Sequence, residues 1–123
     1  MKKILFIEDE AVLQKTFGDT VKEEGYKMIS ALDGAIGLEL AQKEKPDLIL
    51  LDLVLPKING FEVLKKLKEN PRTKKISVIV LTNLETTKDI NRVIELGATS
   101  YLVKANYSLK EIIKKIKEIL GDK

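Results

Sequence analysis

Residues 48–52 read LILLD, four apolar residues followed directly by an acid. The runs ILFI at residues 4–7 and VIVL at residues 78–81 share this design, and each is also followed by a polar residue. Short apolar runs without polar alternation are typical of strands that are buried on both faces, as in a parallel sheet. We therefore predict that these three runs form the centre of a parallel sheet.

Two further strands and five helices are predicted around this centre. Residues 26–31 are more polar and suit a strand nearer an edge, and residues 101–103 suit a fifth strand. Apolar residues recur at helical spacing in the intervening segments, namely Leu13, Phe17 and Val21; Leu38 and Ala41; Phe61, Leu64 and Leu67; Ile90, Val93, Ile94 and Gly97; and Leu109, Ile112, Ile113, Ile116 and Leu120. Ser108, with Glu111 three residues later, predicts a capping box at the start of the last helix.

The alternation of strands and helices with short loops predicts right-handed βαβ units on one parallel sheet. The predicted fold class is α/β, a flavodoxin-like three-layer α/β/α sandwich with a five-stranded parallel sheet in the order 2-1-3-4-5 and five helices. A chain of 123 residues is long enough for one such domain and too short for two. Residues 1–123 are therefore expected to form a single domain.

The composition excludes several kinds of chemistry. There is no cysteine and no histidine, so disulfides, thiolate nucleophiles and histidine bases are not available. Lys and Arg number 22 against 19 Asp and Glu, and a net charge of +3 does not demand an anionic partner. The sequence contains no run of about 20 apolar residues, and we expect neither a signal peptide nor a nucleic-acid-binding module. We expect a cytoplasmic protein that binds neither membranes nor nucleic acids.

Polar residues stand where the predicted strands end, and these are Glu8, Asp9, Asp52, Thr82 and Lys104. Because the carboxyl ends of parallel strands meet at one edge of a sheet, we expect all five to lie together. Three carboxylates at close quarters repel one another unless a cation lies among them, and hard oxygen ligands suit Mg²⁺. Taken singly, each residue is as well explained as a loop residue, a helix cap or a structural salt bridge. Taken together, they favour a functional site.

These five residues, with the turn from Leu55-Pro56 to Gly60, resemble the receiver domain of two-component response regulators, and the resemblance covers essentially the whole chain. It implies that Asp52 accepts a phosphoryl group from the phosphohistidine of a histidine kinase or from a small phosphodonor. It further implies that Mg²⁺ is held by Glu8, Asp9, Asp52 and the backbone carbonyl of Val54, with Asp9 the more direct ligand of the acidic pair.

The resemblance also implies roles for the remaining residues. Lys104 contacts a phosphoryl oxygen, and Thr82 and Tyr101 form a switch that biases the face made by the fourth helix, fifth strand and fifth helix. The implied partners are a sensor histidine kinase or phosphotransfer protein and a downstream target bound at that face, with the chain itself a monomer or a weak homodimer. No enzyme activity is implied beyond the domain's own phosphorylation and dephosphorylation.

The sequence departs from the family pattern at three places. One is Asn83, which follows Thr82 where the family commonly has a smaller residue, and we expect it to narrow access to Asp52. Ala105 follows Lys104 where the family usually has a proline after a cis peptide bond, and a cis bond before any other residue costs about 3 kcal/mol. We expect a trans or a strained peptide bond there. Val54 and Leu84 place apolar side chains beside the expected site, and we predict a comparatively long-lived acyl phosphate.

Two alternatives remain open. One is a binding module or engineered scaffold that has the receiver shape without phosphorylation, which the charged helices and the lack of His and Cys would suit. The other is a flavodoxin that binds flavin. The acids at residues 8–10 argue against the flavodoxin, because they would repel the flavin phosphate.

Overall fold

The computed structural model describes residues 1–122. It contains five strands that all pair in parallel, in the spatial order β2-β1-β3-β4-β5. The strands are β1 (Lys3–Ile7), β2 (Lys27–Ala31), β3 (Leu48–Leu51), β4 (Ser77–Thr82) and β5 (Ser100–Val103). The predicted sheet and its strand order are confirmed.

Five helices cover the sheet on both faces. They are α1 (Ala11–Glu23), α2 (Gly34–Glu44), α3 (Gly60–Glu69), α4 (Thr87–Glu95) and α5 (Leu109–Leu120), and a short 3₁₀ turn, Lys104–Asn106, lies between β5 and α5. Helices α1 and α5 pack with one face of the sheet, and α2, α3 and α4 pack with the other. This is the predicted three-layer sandwich.

The central strand β1 shows why its sequence lacks polar alternation. Successive side chains of a strand point to opposite faces. Ile4 and Phe6 enter the core beneath α1 and α5, and Leu5 and Ile7 enter the core beneath the other three helices. All four are fully buried, because β1 is also flanked by β2 and β3. A polar residue at any of the four would lie in one of the two cores.

The fourth helix differs from its prediction. It ends at Glu95, and Gly97 lies beyond it with φ +104°, a left-handed conformation that stops a helix. Val93 is buried, but Ile94 is 50% exposed. The predicted stripe of four residues on this helix is therefore wrong, because a helix of nine residues that ends before the glycine presents a narrower face to the sheet.

The start of the last helix agrees with its prediction. The Ser108 hydroxyl accepts a hydrogen bond from the Glu111 N–H at 3.1 Å, and the Glu111 carboxylate accepts one from the Ser108 N–H at 2.9 Å. The capping box thereby satisfies backbone donors at the helix N-terminus, close to the turn that carries Lys104. Across residues 1–122, the structure contains no helix long and apolar enough to cross a membrane.

Candidate functional site

The register of the sheet brings the predicted polar residues to one edge. Ile7 is aligned with Leu51, and Leu51 with Val80. The residues that follow β1 and β3 therefore leave the sheet side by side. Thr82 is aligned with Val103 at the end of β5, so that Lys104 comes next. The expected meeting of strand ends is observed.

The three acids of this edge form a close cluster. Glu8, Asp9 and Asp52 each offer a carboxylate oxygen, and these oxygens all lie within 4.8 Å of one another. Glu8 is fully buried and Asp52 is 5% exposed, whereas Asp9 is open to solvent. The Lys104 ammonium lies 3.0 Å from Asp52 Oδ2 and also donates to Glu8 Oε1. One ammonium therefore serves two buried carboxylates, and the third acid stands at the mouth of the site.

The electrostatics of the pair between Glu8 and Lys104 reflect this crowding. The pKa of Glu8 is raised to about 7, mainly by burial and also by the nearby Asp52 charge, and the hydrogen bond from Lys104 only partly opposes these two effects. Burial alone would lower the pKa of Lys104, but its hydrogen bonds to Glu8 and Asp52 outweigh burial, and the pKa is raised. Lys104 is thus held as a cation, and Glu8 is poised between its charged and neutral forms near neutral pH.

The backbone around Asp52 is fixed by the turn that follows it. Asp52 Oδ1 accepts a hydrogen bond of 3.3 Å from the Val54 N–H, and the Gly60 N–H donates to the Leu53 carbonyl at 2.9 Å. A Cβ atom on Gly60 would collide with the Asp52 carbonyl and with Cα of Leu53. The glycine therefore lets the first turn of α3 rest directly on the backbone that carries Asp52.

Thr82 and Tyr101 are connected through one loop residue, Leu84. Thr82 is fully buried, and its hydroxyl oxygen accepts a hydrogen bond of 3.5 Å from the Leu84 N–H. The Tyr101 hydroxyl donates to the Leu84 carbonyl oxygen. Tyr101 is half-buried, and burial raises the pKa of its hydroxyl, with the charges of nearby acids acting in the same direction.

The loops around the site complete its outline. The peptide bond between Lys104 and Ala105 is trans, as are all peptide bonds within residues 1–122. Of the two alternatives expected at this bond, the trans form is the one adopted. Val54 lies on the surface beside Asp52 and is 60% exposed, and its backbone N–H is directed to that carboxylate.

Sequence reasoning missed Gln14. This side chain is 6% exposed, and its nitrogen contacts the backbone carbonyl of Glu8 and two other carbonyls. The predicted stripe of the first helix ran through Leu13, whereas the buried residues are Gln14, Phe17, Gly18 and Val21. The spacing of Gln14 to Phe17 and Val21 was the available signal, but a polar residue is not counted in an apolar stripe.

Comparisons with known proteins agree with this geometry. The family model for the response regulator receiver domain matches residues 4–117. The polar-differentiation response regulator DivK of Brucella anthropi is 36% identical over 121 residues, which is 98% of each chain. The chemotaxis protein CheY4 of Vibrio cholerae has 27% identity and a TM-score of 0.89, covering 97% of this chain and 98% of its own. The Mn²⁺-bound response regulator Rcp1 has 34% identity and a TM-score of 0.79, covering 97% and 91%.

Proposed function

The chain belongs to the family of response regulator receiver domains, as its sequence predicted, and we propose that it is a phosphorylation switch in which Asp52 accepts the phosphoryl group. The observation that carries this proposal is the cluster of three carboxylates with one ammonium at the carboxyl edge of the sheet. A purely structural ion pair needs one acid for one base. The additional carboxylates are explained by a cation and a phosphoryl group that join the site.

The residues present fit Mg²⁺. Glu8, Asp9 and Asp52 supply hard oxygen ligands within 4.8 Å of one another, and Asp9 is open to solvent, as an ion that keeps several waters requires. In our proposal these acids and the backbone carbonyl of Val54 hold the ion. When bound, Mg²⁺ neutralises charge on the transferring phosphoryl group. The related regulator Rcp1 has been crystallised with Mn²⁺, which supports a divalent ion here.

The phosphoryl step uses Asp52 and Lys104. A carboxylate oxygen of Asp52 forms the new bond to phosphorus, and the bond from phosphorus to the donor breaks, with its electron pair leaving on the donor. Lys104 already donates to Asp52 Oδ2, and from there its ammonium can donate to an oxygen of the incoming group. The donor we propose is the phosphohistidine of a kinase or of a phosphotransfer protein, or a small phosphodonor. The proposed role requires no enzyme activity beyond the domain's own phosphorylation and dephosphorylation. We also propose that the protein acts in the cytoplasm.

The output of the switch follows from the bonds of Leu84. If the Thr82 hydroxyl moves to a phosphoryl oxygen, its bond from the Leu84 N–H is disturbed, and the carbonyl of the same residue holds Tyr101. Phosphorylation would therefore free Tyr101 to change position. We propose that this biases the face of α4, β5 and α5 toward a downstream protein target, without direct contact to nucleic acid. A monomer or weak homodimer suits this role.

Intact mass spectrometry tests the phosphoacceptor directly. The protein is incubated with acetyl phosphate or phosphoramidate, with Mg²⁺ or with EDTA. We expect a gain of one phosphoryl group that requires Mg²⁺ and is lost in Asp52→Asn. The control is Asp19→Asn, because Asp19 lies exposed on α1 and pairs only loosely with Lys15, at 3.7 Å. No gain in the wild-type chain under any condition would instead favour a receiver-shaped binding module.

The lifetime of the acyl phosphate is a second test. Val54 presents an apolar, exposed side chain beside Asp52, where it cannot hydrogen-bond an attacking water. We expect the phosphorylated wild-type protein to outlive phosphorylated Val54→Asn several-fold, as measured by loss of the phosphoryl mass over time. Equal lifetimes would show that position 54 does not control hydrolysis.

A further inference from the structure

Helix α1 buries Gln14, Phe17, Gly18 and Val21, and of these only Gln14 has a polar side chain. It is 6% exposed. A buried amide lowers the stability of a fold unless hydrogen bonds replace the water it loses. An apolar side chain would therefore be the simpler choice at this position, and the contacts of the amide indicate why a glutamine is found there.

The nitrogen of this amide contacts three backbone carbonyl oxygens. Gln14 Nε2 lies 2.8 Å from the carbonyl oxygen of Phe6, 3.0 Å from that of Glu8 and 3.1 Å from that of Ala31. The pairing of β1 with β2 ends at Ile7 and Ala31, so the amide caps the end of this ladder. An oxygen in the same place would face three other oxygens, and the contacts themselves therefore fix which end of the amide is which.

One of these carbonyls belongs to the peptide group that joins Glu8 to Asp9. The peptide group before Glu8 is held as well, because the Glu8 N–H donates to the Ala31 carbonyl at 3.0 Å. Both peptide groups that flank the Cα of Glu8 are thus fixed, and the second of them also sets the direction in which Asp9 leaves the strand. Gln14 therefore acts on the backbone of two of the three acids in the cluster.

The oxygen of the same amide is left without a hydrogen bond in the described part of the chain. Gln14 Oε1 is buried and has no hydrogen-bond partner within residues 1–122. The fold loses the solvation of this oxygen in order to place Nε2 on the three carbonyls. An apolar side chain would avoid that loss but would leave the three carbonyls without the amide donor, so the glutamine is retained for its hold on this backbone.

We propose that Gln14 is a positioning residue for the metal site, which holds the peptide group between Glu8 and Asp9 so that both carboxylates face Asp52. This inference rests on the proposed function, because the ligand concerned is Mg²⁺ at these three acids. Residues that orient metal ligands are typically worth about 10–100-fold in metal affinity.

The test compares two variants with a matched control. Gln14→Met keeps the length of the side chain and removes the donor, and Gln14→Asn keeps the amide but draws it back by one methylene. The control is Thr73→Val. Thr73 is 1% exposed and donates to the Leu67 carbonyl at 2.7 Å, in the loop before β4 at the opposite edge of the sheet. The Thr73→Val variant therefore loses a buried hydrogen bond to a backbone carbonyl without changing any contact of Glu8, Asp9 or Asp52.

Binding of MgCl₂ is measured by calorimetry on chains shown to be folded, beside their unfolding in urea. We expect Gln14→Met to bind Mg²⁺ about tenfold more weakly or worse, with Gln14→Asn weakened in the same direction. Thr73→Val should keep the wild-type affinity even though its stability falls. Unchanged affinity in the Gln14 variants, or an equal loss in Thr73→Val, would overturn the proposal. If Gln14→Met does not fold, Gln14→Asn decides.

A second readout separates this inference from the proposed function. If the wild-type chain binds no Mg²⁺, the metal site fails, but the backbone role of Gln14 can still be measured in metal-free protein. We expect the backbone amide NMR signals of Asp9 and Glu10 to shift in both Gln14 variants and to stay in place in Thr73→Val. Signals that stay in place in all three variants would refute the positioning role.

Discussion

The parallel strands begin at one edge of the sheet, the amino edge, and end at the other, the carboxyl edge, and both edges carry charged side chains. At the amino edge these side chains form pairs near solvent. At the carboxyl edge they are crowded together in the interior. At the amino edge, Lys2 Nζ lies 2.9 Å from Asp122 Oδ1 and 2.7 Å from the Leu120 carbonyl, and the Tyr26 hydroxyl donates to Asp122 Oδ2 at 2.8 Å. Lys2 and Asp122 thus form a dedicated pair. At the carboxyl edge, Lys104 serves both Glu8 and Asp52.

The two edges move carboxyl pKa values in opposite directions. The hydrogen bond from Lys2, followed by that from Tyr26, lowers the pKa of Asp122. Burial raises the pKa of Glu8 to about 7. The amino edge therefore stabilises its anion, whereas the carboxyl edge leaves an anion that gains from a proton or a cation. We infer that the opposite pKa shifts distinguish charges that stabilise the fold from charges that are suited to binding a ligand.

The largest difference in stability between the two edges is expected when the lysine of each edge is replaced. Lys104→Met leaves two buried carboxylates without their ammonium, and we expect a loss of about 3–5 kcal/mol in the free energy of unfolding at pH 8 without Mg²⁺. Lys2→Met, at a side chain that is 42% exposed, should cost far less, because solvent replaces its ion pair. Urea denaturation of both variants measures the difference. Equal losses would mean that the carboxyl edge is not electrostatically strained.

The second-largest effect is expected in the pH dependence of stability, in which the wild-type chain should differ from Glu8→Gln. Because folding raises the pKa of Glu8 from 4.5 to about 7, the folded chain binds this proton more tightly than the unfolded chain. The contribution of Glu8 is thus fully present below pH 4.5 and is lost as the pH rises through 7. In EDTA, we expect the wild-type chain to lose about 3 kcal/mol more than Glu8→Gln between pH 5 and pH 8.

Glu8→Gln is the sharp comparison for this effect, since it removes the titrating group while keeping an acceptor for Lys104. Urea unfolding at several pH values gives the two stability curves, and their difference isolates Glu8 from the other acids. Parallel curves would contradict the raised pKa. The extra loss should shrink when Mg²⁺ is added, because the proposed ion stabilises the charged form.

The smallest effect is expected at the amino edge. Tyr26 is 5% exposed, and Tyr26→Phe removes its hydrogen bond to Asp122 with little change of shape. We expect a loss of about 1 kcal/mol in the free energy of unfolding. This loss should be the same with and without Mg²⁺, and the same at pH 6 and pH 8. A dependence on Mg²⁺ would show that the two edges are coupled through the sheet.

The sequence was most informative where a pattern repeats along the chain. Apolar runs that end in polar residues predicted the strands, and the parallel sheet then brought Glu8, Asp9, Asp52, Thr82 and Lys104 to one edge. Contacts between distant elements were less accessible. The resemblance assigned Lys104 to the phosphoryl group, whereas in the structure it also bonds Glu8, 96 residues away. No local pattern encodes that pairing, nor does one show that the amide of Gln14 reaches carbonyls of two strands.

The separation of 96 residues between Glu8 and Lys104 also has a consequence for the order in which the chain is made. Synthesis proceeds from the N-terminus, so all three acids leave the ribosome before Lys104, the lysine that bonds Glu8 and Asp52. Contacts between residues so far apart form late in folding, because a long loop must close first. Until β5 adds to the sheet, the growing chain carries an acidic cluster without its counter-charge. Protons and divalent cations in the surrounding solution are therefore the first partners that these carboxylates meet.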